Sequence, residues 1–289
     1  MLLALSLMWG SSFMFIELAL VSIGPIWLAA ARIGIAAALL WAFARLMGHR
    51  LPQDRRTWQR AAGIALVGLV LPFPLIGWAQ QGIESNQAAI IMAFTPLSTL
   101  VMAHLLTDEE KFTRGRVAGL VLGLFGVALL LGGAGREELM VAGPRQFAVF
   151  LATLGYAYSS ILLRDMAHIS PVSVSAAVMI AAAVITVPIA MVFEPLPRAP
   201  IGPMAGGATL FLGIFSSALA TVLMVQLINR IGVTFMSMNN YLVPAIGVVW
   251  GTVLLNEVVT GQTFGAFALI LAGVALASFR ARRRPPKGG

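Results

Sequence analysis

Apolar residues run through this chain in stretches of about twenty, separated by short clusters of Gly, Pro, Asn and charged residues. Ten such stretches stand out, at roughly 2–21, 25–46, 60–81, 87–106, 114–134, 146–164, 171–193, 204–228, 233–255 and 262–280. At 1.5 Å rise per residue, a helix of about 20 residues matches the hydrocarbon thickness of a bilayer. Each stretch therefore predicts a spanning helix.

The pattern is also written twice. A shift of 147 residues lays Glu110, Thr113, Leu122, Leu124 and Gly126-Val127-Ala128-Leu129 onto Glu257, Thr260, Leu269, Leu271 and Gly273-Val274-Ala275-Leu276. The same shift lays Leu7, Trp9 and Ser12 onto Leu154, Tyr156 and Ser159. Five spans per copy reverse the direction of the second copy, which predicts an inverted-topology repeat, the mark of secondary transporters. The expected fold is an all-α membrane protein, ten transmembrane helices arranged as two inverted five-helix repeats. Residues 1–134 and 146–280 are the repeats, 135–145 an outer linker bearing Gly143-Pro144, and 281–289 a basic cytoplasmic tail.

Composition agrees with the pattern: 59% hydrophobic and 10% charged residues, with a mean hydropathy of +0.92. A soluble fold could not cover that much apolar surface. The net charge of +8 invites a nucleic-acid reading, but its distribution opposes one. With the amino terminus inside, the inner segments take Arg45, Arg50, Arg55, Arg56, Arg60, Lys111, Arg114, Arg116, Arg164, Arg230, Arg280, Arg282, Arg283, Arg284 and Lys287. The outer loops keep Arg136, Arg145 and Arg198, and Arg32 lies within a span. This positive-inside bias predicts a multi-pass membrane protein with both termini in the cytoplasm. The first span is too long for a cleaved signal peptide and has a counterpart in the second copy. Without Cys there are no disulfides or thiolate metal sites, and His49, His104 and His168 lack metal-ligand spacing. No cofactor or metal is called for.

Gly115, Gly119 and Gly123, with Gly261 and Gly265, predict close backbone packing of the fifth and tenth helices, away from substrate. Pro96 and Pro244 occupy corresponding places in the fourth and ninth spans. Matched interruptions near the midplane point to a transport site and to gating bends. Pro72, Pro74 and Pro188 lack this pairing and read as packing kinks.

Trp9, Phe13 and Glu17 recur at four-residue spacing, with Ser12 and Ile16 on the same face; the matching face of the sixth span is Tyr156, Ser159, Ser160 and Arg164. Rings and hydroxyls at the midplane suit a polar organic substrate, although serines also bond their own backbone and ease helix packing. Tyr156 and Tyr158 are two residues apart, so only one can face the path. Asn239-Asn240-Tyr241 stand where the first copy has Ile91, Met92 and Ala93. Substrates are asymmetric, so polar groups that break the repeat are candidates for binding, and Asn can both donate and accept. Glu17 and Arg32 are intramembrane charges in the outer half. They read either as functional groups or as an ion pair locking the first two helices. Glu110 and Glu257 open matched Glu-x-x-Thr elements at helix ends, where capping is the simpler role.

The run Trp9-Gly10-Ser11-Ser12-Phe13, Pro25 with Arg32, and the pattern Pro244, Leu254-Leu255, Glu257, Thr260, Gly265, Gly273-Val274 resemble the EamA family of the drug/metabolite transporter superfamily. A weaker first-copy version runs Pro96, Leu105-Leu106, Glu110, Thr113, Gly119, Gly126-Val127. The resemblance implies a ten-helix bundle with a central cavity exporting small metabolites; size and aromatic lining look like the YddG-type amino-acid exporters. The expected function is export of L-amino acids, aromatic or otherwise neutral, or similar small metabolites by alternating access. Its partners are the small-molecule substrate and the bilayer, with no nucleic acid. A monomer suffices and a homodimer is compatible. The alternatives are a drug or other metabolite exporter of the same family, or a channel or scaffold. An intramembrane enzyme would need a nucleophile–base pair or metal set at depth, and no such motif is present.

Overall fold

A chain crossing hydrocarbon must satisfy its backbone N–H and C=O groups internally. This one does so with helices alone: among the described residues there is no strand. The computed structural model describes residues 1–107, 112–131, 136–166, 168–197, 200–224, 226–227 and 239–279.

In chain order the helical segments are α1 (Leu2–Leu20), α2 (Pro25–Leu46), α3 (Arg55–Gln80), α4 (Ser85–Leu106), α5 (Arg114–Leu131), α6 (Arg136–Arg164), α7 (Pro171–Phe193), α8 (Pro203–Met224), α9 (Asn239–Leu254) and α10 (Gly261–Phe279). Among the described residues, eight of these contain a stretch long and apolar enough to cross a membrane. α6 begins at Arg136 and runs through Pro144, so part of the stretch expected as a linker is helical. Glu110, Arg198, Arg230 and the basic tail lie outside the described residues.

The closest packing pairs survive exchanging each helix for the one five places along. α1 packs on α8 and α9 as α6 packs on α3 and α4; α2 meets α8 as α7 meets α3; α2–α7, α4–α9 and α5–α10 pair across the halves. α5 and α10 approach through glycine: a methyl group at Gly119 would lie 2.5 Å from the Gly273 carbonyl oxygen, and one at Gly273 would lie equally close to that of Gly119. The contact on α10 is thus Gly273 rather than Gly261 or Gly265. Gly261 has open space around it, and Gly265 meets only Leu129. Gly273 sits mid-helix, where α5 crosses, whereas Gly261 opens the helix. Small residues such as Ala36, Ala37, Ala176 and Ala177 likewise bring α2 and α7 together.

Two helices depart from α geometry at corresponding places. α3 widens into a π-helical turn at Leu66–Val70 and α8 at Leu212–Leu219. Each wide turn holds a glycine under a neighbour, Gly68 beneath Ser159 of α6 and Gly213 beneath Ile35 of α2. Such turns recur at functional sites, because the extra residue re-aims the side chains that follow. α4 breaks as well, between Met92 and Thr95. Pro96 cannot donate to the Met92 carbonyl four residues back, and the Thr95 hydroxyl does so instead at 2.7 Å.

Candidate functional site

The broken and widened helices surround a central cavity of about 370 Å³. Trp9, Ser12, Phe13 and Ile16 line it from α1; Arg32 from α2; Leu69, Phe73 and Ile76 from α3; and Tyr156 and Ser160 from α6. α8 supplies Ser216, Ser217 and Thr221, and α9 supplies Asn239, Asn240, Val243 and Pro244. α5 and α10 contribute nothing to this lining. The walls are therefore mostly apolar and aromatic, with a few polar groups, the usual make-up of a small-molecule pocket.

Arg32 dominates the chemistry. Its guanidinium is buried, donates from Nε to Ser217 Oγ at 2.9 Å, and lies 4.0 Å from the centre of the Phe73 ring. Ser217 belongs to the wide turn of α8, and Phe73 follows the wide turn of α3. The two departures from α geometry thus converge on one cation. Tyr156 is the titratable group beside it, and among the described residues no carboxylate neighbours it. A buried guanidinium held by one hydroxyl and one ring keeps most of its five N–H donors for a further partner. The ion pair between Glu17 and Arg32 does not form. Glu17 faces instead Gln80, Glu84 and Glu257 at the other end of its helix.

α1 is fastened to α8 through the wide turn: Trp9 Nε1 donates to the Ser216 carbonyl at 3.1 Å, and Ser216 Oγ donates to the Met8 carbonyl at 2.8 Å. Ser12 lines the cavity while its hydroxyl bonds the Trp9 carbonyl. Asn239 is 3% exposed and its Oδ1 accepts from Ser6 Oγ at 2.7 Å, which leaves its amide nitrogen free to turn toward the cavity. Tyr156 lines the cavity and Tyr158 lies on the exposed side.

Three further residues singled out in the sequence lie elsewhere. Ser159 is turned onto Gly68, and its neighbour Ser160 takes the place at the cavity. Tyr241 packs into the apolar cluster around Phe94 and Ile90. Pro96 shapes α4 from behind Thr95, whereas Pro244 lines the cavity directly. Phe73, Ser216, Ser217 and Thr221 were not foreseen. Gly68 and Gly213, one inside each wide turn but two residues out of register with the 147-residue repeat, are the one trace of these turns that the sequence carries.

The end of the bundle beyond Phe13 is acidic. Gln80 donates to the Phe13 carbonyl at 2.8 Å and lies beside Glu17. Glu257, in the turn before α10, does not cap its own helix. Its carboxylate accepts from the backbone N–H groups of Ser85 and Asn86, at 2.7 and 2.9 Å, and so closes the start of α4. Thr260 is the residue that caps α10, accepting from the N–H of Thr263. Glu194 treats α2 in the same way, accepting from the N–H of Trp27 at 2.7 Å. Gly24 and Gly251 make these reaches sterically possible, since a side chain at either would occupy the place of the carboxylate. Burial pushes the Glu84 carboxyl above its ordinary range. The bond from Asn86 opposes this shift and the charge of Glu257 adds to it.

A family model for EamA-like transporters matches residues 1–132 and again 145–279. The chain belongs to the EamA-like transporter family. Each half matches the family separately, in keeping with the internal duplication. Among relatives, the "Uncharacterized inner membrane transporter YedA" of Escherichia coli (strain K12) is 27% identical over 280 residues, covering 95% of this chain and 88% of the relative. The "Probable terminal-alkyne amino-acid exporter" of Streptantibioticus cattleyicolor is 26% identical over 280 residues, covering 96% and 92%. A solved crystal structure superposes with a TM-score of 0.70 at 23% identity, over 97% of this chain and 96% of that one. This EamA-family chain is therefore a multi-pass membrane protein whose relatives are transporters.

Proposed function

We propose that this protein exports L-amino acids, or small metabolites carrying a similar carboxylate, across the bacterial inner membrane by alternating access. In this reading the bundle is ten spanning helices in two five-helix repeats of opposite orientation, with both termini in the cytoplasm. The exchange-symmetric packing and the twofold family match support it.

The observation that carries the substrate reading is Arg32: a buried guanidinium in the central cavity, without a carboxylate partner among the described residues. Such a cation is costly unless something negative joins it, and a planar fork suits a carboxylate in particular. The ammonium of the same substrate would find Asn239 and Asn240, and its side chain would lie among Trp9, Phe13 and Tyr156. The relative described as an amino-acid exporter points the same way.

Counterflow in proteoliposomes tests this with a panel of amino acids, including one with a terminal alkyne, set beside the corresponding amides. Free acids should exchange and amides should not. If no amino acid exchanges, the function is wrong; if acids and amides exchange equally, the role given to Arg32 is wrong.

A further inference from the structure

Away from the cavity, the acidic end of the bundle holds an arrangement the transport reading does not use. Glu17 of α1, Glu84 of the turn before α4 and Glu257 of the turn before α10 lie within one another's electrostatic reach. Around them, four buried oxygen atoms have no hydrogen-bond partner: Glu17 Oε2, Gln80 Oε1, Ser85 Oγ and Asn86 Oδ1. Ser85 and Asn86 are fully buried and Gln80 is 5% exposed. Ser85 Oγ and the Glu257 carboxylate share the hollow over Gly251, Asn86 donates to Glu84, and Gln80 lies beside Glu17.

Among the described residues the groups packed on this pocket are neutral or negative except Arg145, which lies against Gly82. The α8 stretch packed on this part of α1, residues 203–211, has no titratable side chain. α9 presents Gly251 beside Glu257. α6 carries Arg145, which is engaged by the ring and carbonyl of Trp78. Orphaned acceptors beside carboxylates are what an oxygen-ligated positive charge would satisfy, and each costs free energy if nothing does. Intramembrane carboxylates in carriers mark ion pathways by default.

We propose that this pocket, centred on Glu17, binds a monovalent cation, a proton or Na⁺, and that this is the ion whose gradient the carrier uses. Glu17 lies one turn beyond Phe13, which lines the cavity from the same helix. A change of charge there is therefore transmitted to the cavity by the helix itself.

The test needs no transported substrate. Thermal unfolding of the purified full-length protein is measured in choline chloride at pH 8, with NaCl replacing choline, and separately at pH 6 in choline chloride. Ligand linkage predicts a rise of about 3 °C in one arm at ten times the dissociation constant, with the arm identifying the ion. The rise should disappear in Glu17→Gln and persist in Glu194→Gln, whose carboxylate caps α2. No rise in either arm overturns the proposal, as does a rise of the same size in Glu17→Gln. Should Glu17→Gln not fold, infrared difference spectra of the native protein between the same conditions read the carboxyl band directly. A spectrum without a carboxyl change overturns it too.

Discussion

α3 and α8 occupy equivalent places in the two halves, widen at equivalent positions, and both end at Arg32, yet they bring different chemistry to it. α3 offers the face of Phe73, and α8 offers the hydroxyl of Ser217. The backbone device is shared while the side chains that follow are not. Duplication can thus keep a scaffold while leaving each copy free to build half of an asymmetric site. The contrast extends to the helix starts. α3 is capped by Asp54, which accepts from the Thr57 N–H at 2.7 Å, whereas α8 starts after Gly202 with no side-chain cap.

The sharpest way to break this comparison is to remove what the two helices share. Arg32→Leu should weaken binding of a carboxylate substrate by about 10- to 100-fold, the worth of hydrogen bonds to a charged group. Arg32→Lys should recover little, because an ammonium lacks the planar fork and stacks poorly on Phe73. Half-saturation in counterflow reads both. Unchanged values would separate the cation from the substrate.

Next in size are the wide turns themselves. A methyl group at Gly68 would lie 2.7 Å from Ser159 Cβ, and one at Gly213 would lie 2.7 Å from Ile35 Cβ. Overpacking of this kind costs about 1–3 kcal/mol, so Gly68→Ala and Gly213→Ala should each lower the unfolding midpoint by several degrees. Wild-type midpoints would mean that the turns adapt freely and are not a fixed device.

Phe73→Leu and Ser217→Ala separate the two contributions to Arg32. A desolvated cation–π contact is worth up to about 2 kcal/mol and a single neutral hydrogen bond about 1 kcal/mol. Phe73→Leu should therefore weaken substrate binding more than Ser217→Ala, and the reverse order would make α8 the principal support.

The smallest effect concerns the caps. Bonds from Thr57 hold the exposed Asp54 carboxyl below its usual range. A carboxyl depressed in the folded state gives stability above its unfolded value that is lost as pH falls through its folded one. Wild-type protein should therefore lose some stability on acidification below the ordinary aspartate range, and Asp54→Asn, which caps without titrating, should lose less. Melting curves in detergent across that range would show whether the two proteins diverge.

Much of the scaffold was legible because it rests on local or repeated features. Span length follows from apolar runs, the duplication from residues that keep their spacing, and the bend in α4 from a proline without an N–H. The aromatic face of α1 was legible for the same reason, since Trp9 and Phe13 stand one helical turn apart. What escaped depended on distant partners. Nothing near Glu257 in sequence marks that it reaches back 172 residues to the start of α4. The choice between Ser159 and Ser160 turned on about 100° of helix rotation, which Gly68 decides from another helix. The wide turns left only a pair of glycines as a trace, and glycine has too many uses for that to be decisive. The missing pair between Glu17 and Arg32 has the same origin: depth along a helix was readable, and direction around it was not.

The two carboxylates that close α2 and α4 both come from the second half of the chain, and this orders the protein's synthesis. When α2 and α4 enter the membrane, Glu194 and Glu257 have not yet been polymerised, and the first N–H groups of both helices depend on water and lipid headgroups. That end of the molecule is therefore finished last. A ribosome stalled after α6 would leave a half-protein with two open helix starts.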